Sequence, residues 1–439
     1  MTLVDPVTTW RNWGRVESAT PAFRARPASI DEVQAVVRTA RERGLPVKAV
    51  GAGHSFTDIA ATVGVMVDLG AIAGLVSADP ERHRVTVGAG THLHELPAIL
   101  DPLGLALENM GDIDRQTIAG ATSTGTHGTG ARFRGLAAQL VGVTLVTADG
   151  ALLTVDETRN AELLPAVRLG LGALGVVVEV TIQCVPAFLL RAVEHPEPLA
   201  EVLGTFEQRA AADDHFEFYW WPHTDRAMTK VNTRLPLEAG AKPVGPVANW
   251  IEESLLQNTA LGAVCAVGTV VPGLVRPLNR LATRVYGDRE YTDRSYEVFT
   301  SPRRVRFREM EYALPRATVP QAVRDISALV EREHWDIGFP LEVRVAAADD
   351  NWLSTAYGRD VGYIAVHRYH RQDHLPYFRA VDRILRAYEG RPHWGKIHFQ
   401  DAASLAERYP RFGDFLAVRD RLDPDRVLQN AYLDRVLGA

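Results

Sequence analysis

Apolar positions recur with helical spacing over residues 26–44, where Val33, Val36, Val37 and Ala40 share one face. Ser29 followed three residues later by Glu32 forms a capping box, and Gly44 ends the run. Short β-branched runs flank this helix: Val47 to Val50, Val65 to Leu69, and Arg84 to Gly90. Strand, helix and strand alternate, which predicts an α/β unit. Residues 92–103 read as one more helix, with Leu93, Leu96, Ile99 and Leu100 as its apolar side. The Asp149-Gly150 pair predicts a hairpin over residues 139–155, and residues 171–182 end in a long β-branched strand.

After Pro186 the texture changes. Aromatic residues and prolines become frequent, as in H-F-E-F-Y-W-W-P-H from His215 to His223, and the βα alternation is lost. The pattern predicts an antiparallel sheet with helices on one side, continuing to about Glu389. In F-P-L-E-V-R-V, period-two alternation places Glu342 and Arg344 on one face; in Y-I-A-V-H-R-Y-H, Tyr363, Ala365, His367 and Tyr369 share a face. A helix over residues 373–388 follows. The expected division is 1–186, 187–389, and a C-terminal segment, 390–439.

Bulk properties exclude more than they select. The 439 residues suit two domains, and the net charge of −6 is spread without a basic block, so nucleic acid has no electrostatic footprint. Cys184 and Cys265 are too few for a disulfide framework or a thiolate metal site and suit a reducing compartment. The N-terminus lacks the basic-then-apolar order of a signal peptide, so the expectation is a cytoplasmic protein. Residues 259–275 are uncharged and apolar but carry Gly262, Gly268 and Pro272; they predict a buried helix or a patch leaning on a membrane rather than a span.

Two glycine-rich stretches carry the candidate chemistry. V-G-A-G-H-S-F, Val50 to Phe56, follows a strand, and its glycines let backbone approach a ligand without Cβ collisions. It is no Rossmann turn, because G-x-G-x-x-G needs glycine where Phe56 stands. In residues 117–130, small side chains and hydroxyls are dense and no acid intervenes, as a diphosphate contact surface requires. Two such loops suggest one large cofactor. His92 and His94 lack a third ligand at a defined spacing, so no metal site is expected.

These two loops, with F-P-L-E-V-R-V, G-R-P-H-W-G-K and the terminal L-D-P-x-x-x-x-x-N-x-Y-L in this order, resemble the aldonolactone oxidoreductases. That family belongs to the vanillyl-alcohol oxidase type of flavoproteins. The resemblance runs nearly end to end and implies an α+β fold, an FAD-binding α/β domain plus a cap domain of antiparallel sheet. It implies FAD bonded covalently through His54 and held by Val50, Gly51, Ala52, Gly53, Ser55, Thr117, Gly120, Thr124, Gly125, Thr126 and His127. Val177 would pack beside the adenine or ribityl portion, and Asn430 would return to the flavin.

The implied reaction is oxidation of a sugar-1,4-lactone at a secondary alcohol by hydride transfer, giving a 2-keto product that tautomerises to an ascorbate-like enediol. Oxygen or another acceptor would reoxidise the flavin, with Thr126 and Ala121 as candidate gates for oxygen. Arg344 and Lys396 match the family's cations for developing negative charge, and Glu342 would orient substrate hydroxyls. Asp112 and His367 complete the expected substrate contacts. The alternative is an alditol oxidase acting on xylitol- or sorbitol-like polyols; Asp112 stands where that branch places a serine. A scaffold that has lost its flavin is the remaining reading, opposed by intact His54, Glu342, Arg344 and Lys396.

Overall fold

The computed structural model describes residues 9–245, 261–285 and 287–439. The N-terminal residues 1–8 and the first two residues of the apolar segment, Thr259 and Ala260, lie outside the described residues.

Alternation predicted the first unit well. The helix Ile30–Glu42 buries Val33, Val36, Val37 and Ala40 and is capped by Ser29, whose side chain accepts from the Glu32 N–H. The box closes one residue early, because the Glu32 carboxylate accepts from Ala28 N–H at 2.7 Å rather than from Ser29. This helix packs on a parallel sheet ordered Phe23–Ala25, Val65–Asp68, Val47–Val50. A five-stranded antiparallel sheet follows, ordered Leu152–Asp156, Leu140–Val146, Val176–Gln183, Arg84–Gly88, Leu75–Asp79. Gly150 takes φ +79° in the expected hairpin turn, a conformation that a Cβ would strain.

The helix expected over residues 92–103 is broken. Only Leu96–Leu100 is α-helical, between two 3₁₀ turns at Leu93–Glu95 and Asp101–Leu103. Pro97 and Pro102 lack the N–H groups a continuous helix needs. Leu93, Leu96 and Leu100 are nonetheless buried together.

The second half is built on one eight-stranded antiparallel sheet, ordered Arg289–Arg294, Leu189–Pro198, Arg226–Leu235, His215–Trp220, Leu341–Ala346, Val361–Tyr369, Phe307–Pro315, Arg391–Pro392. Its period-two alternation sorts side chains to opposite faces. Phe216, Phe218, Met310, Val343, Ile364 and Val366 join a core with the helices Leu199–Ala212, Val319–Arg332 and Leu375–Ala387. The intervening residues Glu217, Glu309, Glu311, Glu342, Arg344 and His367 therefore emerge on the other face, yet all are buried.

That polar face looks toward the N-terminal half, and the chain stitches the two together. Gly130 N–H donates to Val345 O at 2.9 Å, and Val345 N–H to Thr129 Oγ1 at 3.2 Å. After Pro392 the chain leaves the large sheet. Tyr409, Phe415, Tyr432 and Leu433 then join the core that also holds Val85, Leu93 and Val143. The Val47 N–H donates to Val427 O at 2.7 Å, so the tail meets the first parallel sheet directly.

Candidate active site

The two glycine-rich loops touch. A Cβ on Gly51 would lie 2.4 Å from Thr117 Oγ1, so only glycine lets the first loop pass the second here. Gly53 takes φ +71°, which turns the chain so that His54 leaves the loop beside Trp13; the rings stack at 5.5 Å between centroids. The loop is pinned on its other side by Phe56 N–H to Gly395 O at 2.7 Å and by Asn12 Nδ2 to Ser55 O at 2.9 Å. Residues 54–56 and 393–396 thus form one wall.

Among the described residues, the backbone N–H groups of Ala52, Gly53, His54 and Ser55 have no acceptor. Successive unpaired N–H groups in a tight turn make a concavity suited to an anion such as a diphosphate. The helix Ile118–Thr124 contributes less than its composition suggests. Ile118 N–H goes to Thr91 O at 2.8 Å, Ala119 N–H to Ala89 O at 3.3 Å, and Gly120 N–H to Thr117 Oγ1 at 3.3 Å. Its small residues serve close packing; Gly125 ends it at φ +83°.

From this wall a cavity of about 740 Å³ extends beneath the polar face of the large sheet. Of the expected site residues, His54, Ser55, Asp112, Thr124, Thr126 and His127 line it from the N-terminal half. Glu342, Arg344 and His367 line it from the sheet, with Lys396 from the loop that follows. Val50, Gly51, Ala52, Gly53, Thr117, Gly120 and Gly125 lie behind or beside it rather than on its lining. Val177 is half-buried and packs against both apolar clusters of the N-terminal half, next to a register shift between Val177 and Glu179.

Asn430 is placed differently from the expectation. Its Nδ2 donates to the carbonyls of Asp58, Ile59 and Ala61 at 3.1, 3.0 and 2.9 Å, and its Oδ1 caps the helix Ala431–Leu437. The amide is spent on fixing the turn just beyond the His54 loop.

Arg344 anchors the sheet side. Its guanidinium contacts Glu342, stands 3.0 Å from Glu217, and reaches Asp112 at 3.5 Å. Asp112 also takes Arg303 at 2.9 Å, so this acid serves two guanidiniums. Burial opposes its ionisation, but Arg344 and Arg303 outweigh burial and hold its carboxyl below the usual range. Glu342 is pushed up to about 7, by burial first, with Arg344 opposing and the charges of Asp112 and Glu217 adding to the rise. A carboxyl poised there can take a proton at neutral pH.

On the opposite side, Lys396 Nζ contacts Glu309, which raises the lysine pKa against the effect of burial. His54 is lowered to about 4, by burial and then by Lys396, and is therefore a neutral imidazole. His127 stacks on Tyr363 at 3.4 Å and faces Glu311 with Nε2 at 3.4 Å. With His393 these form the one three-residue cluster of metal-ligand type among the described residues. His393 Nδ1 accepts from Gly395 N–H at 3.0 Å, so its proton sits on Nε2, and burial lowers its pKa to about 3.

Sequence reasoning missed Glu217, Glu309, Glu311 and Arg303. A signal was present: F-R-E-M-E-Y-A-L-P carries two glutamates two residues apart in a strand, which puts both acids on one face.

A family model described as D-arabinono-1,4-lactone oxidase matches residues 180–436, and one described as FAD binding domain matches residues 21–156. The chain is 45% identical over 429 residues to L-gulono-1,4-lactone dehydrogenase of Mycobacterium tuberculosis, covering 98% of this chain and 99% of that one. It is 35% identical to L-gulonolactone oxidase of Bos taurus, covering 97% and 98%, and 31% identical to alditol oxidase of a Streptomyces species, again covering 97% and 98%. Among solved structures, cholesterol oxidase of Brevibacterium sterolicum superposes with a TM-score of 0.81 at 18% identity, covering 98% of this chain and 96% of that one. At that identity the likeness is one of fold, an FAD-binding domain with a large antiparallel sheet as cap. Matched over almost its whole length by relatives well above 30% identity, the chain belongs to the aldonolactone oxidoreductase family and is an FAD-dependent oxidoreductase acting on CH–OH donors.

Proposed function

We propose that this enzyme oxidises an aldono-1,4-lactone, with L-gulono-1,4-lactone the first candidate, at a secondary alcohol to the 2-keto product that tautomerises to an ascorbate-like enediol. The observation that carries the reading is the buried Glu342–Arg344 pair, which faces His54 and Lys396 across one cavity. The names of the relatives of Mycobacterium tuberculosis and Bos taurus support the lactone.

In this reading Ala52, Gly53, His54 and Ser55, whose N–H groups have no acceptor among the described residues, would hold the FAD diphosphate. Bound there, the flavin supplies a two-electron acceptor for the hydride of the CH–OH carbon. Glu342 takes the hydroxyl proton; its raised pKa suits it to hold that proton near neutral pH. Arg344, fixed by Glu217 and Asp112, stabilises the substrate oxygen, and Lys396 is the cation toward which negative charge develops. His54 would be the point of covalent attachment, since its neutral imidazole retains the lone pair that such a bond would use. The FAD-binding unit comprises 1–186 and 390–439, and the cap 187–389, though Arg391–Pro392 still pairs with the cap sheet.

The polyol reading rests on the alditol oxidase relative. Asp112 stands where that branch places a serine, and its carboxylate is committed to Arg303 and Arg344, so polyol specificity does not carry over directly. Oxygen or another acceptor completes turnover. No helix of the described residues is long and apolar enough to cross a membrane. Contact with a membrane surface is nevertheless favoured by Val267, Val270, Val271 and Leu274, which are exposed together around the end of helix Leu261–Val270. The test of the function is anaerobic bleaching of the flavin band by lactone against xylitol. Flotation with anionic vesicles, lost in Val270→Glu, tests the membrane contact.

A further inference from the structure

The strand Phe307–Pro315 presents two acids to the cavity, Glu309 and Glu311, each facing a histidine. His367 Nδ1 lies 2.9 Å from the carbonyl oxygen of Pro340. A carbonyl only accepts, so Nδ1 carries a proton. The remaining nitrogen, Nε2, faces Glu309 Oε1 at 3.5 Å. In a neutral ring with Nδ1 protonated, Nε2 would be a lone pair aimed at a carboxylate, and both side chains are largely buried: His367 is 8% and Glu309 5% accessible. Two facing acceptors repel in a low-dielectric interior, and a proton between them removes the conflict. The other oxygen of Glu309 contacts Lys396 Nζ, so this carboxylate keeps its charge rather than taking the proton.

We infer that Glu309 is a positioning residue that holds His367 as a buried imidazolium and Lys396 as an ammonium, so that one carboxylate aims two cations at the bound substrate and flavin.

The surroundings of His367 agree with this. Phe307 and Phe339 pack on the ring, with centroids 5.2 and 6.0 Å away. The charged groups facing it are Glu309 from the neighbouring strand, Glu342 from the strand on its other side, and Lys396 beyond Glu309 from the loop after Arg391–Pro392. Burial alone would lower the ring's pKa, but the hydrogen bond and charge of Glu309, with Glu342 adding, outweigh it and raise the pKa above its ordinary value. His393, in the same wall, shows the opposite arrangement: its Nδ1 accepts from a backbone N–H, no second proton is called for, and it stays neutral.

The consequence is electrostatic. Glu309 offsets part of the charge of the two cations in the resting site, and the cations are fixed before negative charge develops, so no reorganisation is needed at the moment of reaction. A raised histidine pKa means the imidazolium is present below that pKa and is lost as pH rises through it. Glu342 must be ionised and His367 protonated, so kcat/KM is bell-shaped, with Glu342 setting the acid limb and His367 the alkaline one.

The catalytic part of this inference rests on the proposed function, whereas the protonation state does not, and the experiment separates them. Holoenzyme with ¹⁵N-labelled histidine is titrated by NMR, and His367 is assigned among the 14 histidines by its loss in His367→Gln. The expected result is both ring nitrogens of His367 protonated in most molecules at about pH 6.5, where an ordinary imidazole is half protonated, in the wild type and Nε2 deprotonated in Glu309→Gln. In that variant kcat falls about 10- to 100-fold with a smaller change in KM, and the alkaline limb moves to lower pH. An unprotonated Nε2 in the wild type overturns the inference even if the variant does not fold. An unchanged ring in a folded Glu309→Gln overturns the role of Glu309. A shifted ring with unchanged kcat overturns the catalytic consequence while leaving the proposed oxidation intact.

Discussion

Asp112 and Arg344 meet at 3.5 Å across the seam between the N-terminal half and the large sheet, and Asp112 turns its other contact to Arg303 at 2.9 Å. The acid is therefore a strut of the site wall before it is a substrate contact. Replacing it with Asn or Ser leaves two partly or fully buried guanidiniums short of a counter-charge. Asp112→Asn is expected to destabilise the enzyme by about 2 kcal/mol, as a lost charged hydrogen bond does. It should also lower kcat/KM for lactone and polyol alike, since Arg344 loses its fix. Thermal unfolding and kinetics on both substrates check this; Asp112→Ser with unchanged efficiency on every substrate would remove the residue from the account.

Glu342 is raised to about 7, principally by burial. As the proposed base it must be ionised to accept the hydroxyl proton, so kcat/KM should fall as pH drops through about 7. Glu342→Gln retains shape and hydrogen-bonding capacity but cannot take a proton; a loss of about 100- to 10,000-fold is expected, with the acid limb abolished. A full acid limb in a still active Glu342→Gln would assign that limb to another group.

His54 stacks on Trp13 and is neutral across the working range, its pKa being lowered to about 4 by burial and Lys396. Wild-type protein precipitated with acid should keep its yellow colour in the pellet, and His54→Ala should release its flavin to the supernatant. A colourless wild-type pellet would mean that the cofactor is held without a bond.

Asn430 joins the C-terminal tail to the turn after the His54 loop through three carbonyl acceptors and a helix cap. Asn430→Ala removes all four interactions. The loss of the cap alone costs about 1 kcal/mol, and the carbonyls left without a donor add to it. Differential scanning calorimetry should show a lower Tm in the holoenzyme and weaker retention of noncovalent FAD in the His54→Ala background. Unchanged retention there would confine Asn430 to stability.

The elements were legible where one face is apolar and the other polar. Val33, Val36, Val37 and Ala40 announced their helix, and the alternation in F-P-L-E-V-R-V placed Glu342 and Arg344 together on the cavity face. The break at Pro97 and Pro102 was lost because the apolar spacing of Leu93, Leu96 and Leu100 survives it. Of the cavity lining, His54, Glu342, Arg344 and Lys396 stand inside recognisable motifs, and the residues that pair with them do not. Glu217, Glu309 and Arg303 act through partners 127, 87 and 191 residues away, at Arg344, Lys396 and Asp112, and no local pattern encodes such pairings. Asn430 shows the converse. Its motif was recognisable, but only the structure reveals that its amide is consumed by backbone carbonyls.

The central claim, a lactone-oxidising flavoenzyme, is tested most directly by following the visible flavin band of the purified holoenzyme under anaerobic conditions while L-gulono-1,4-lactone or xylitol is added in separate runs, and then admitting air. Fast bleaching by the lactone and slow or absent bleaching by xylitol is the predicted result, and the rate of colour return in air then distinguishes oxygen from another acceptor. Faster bleaching by xylitol, or a flavin that neither compound reduces, would contradict the account.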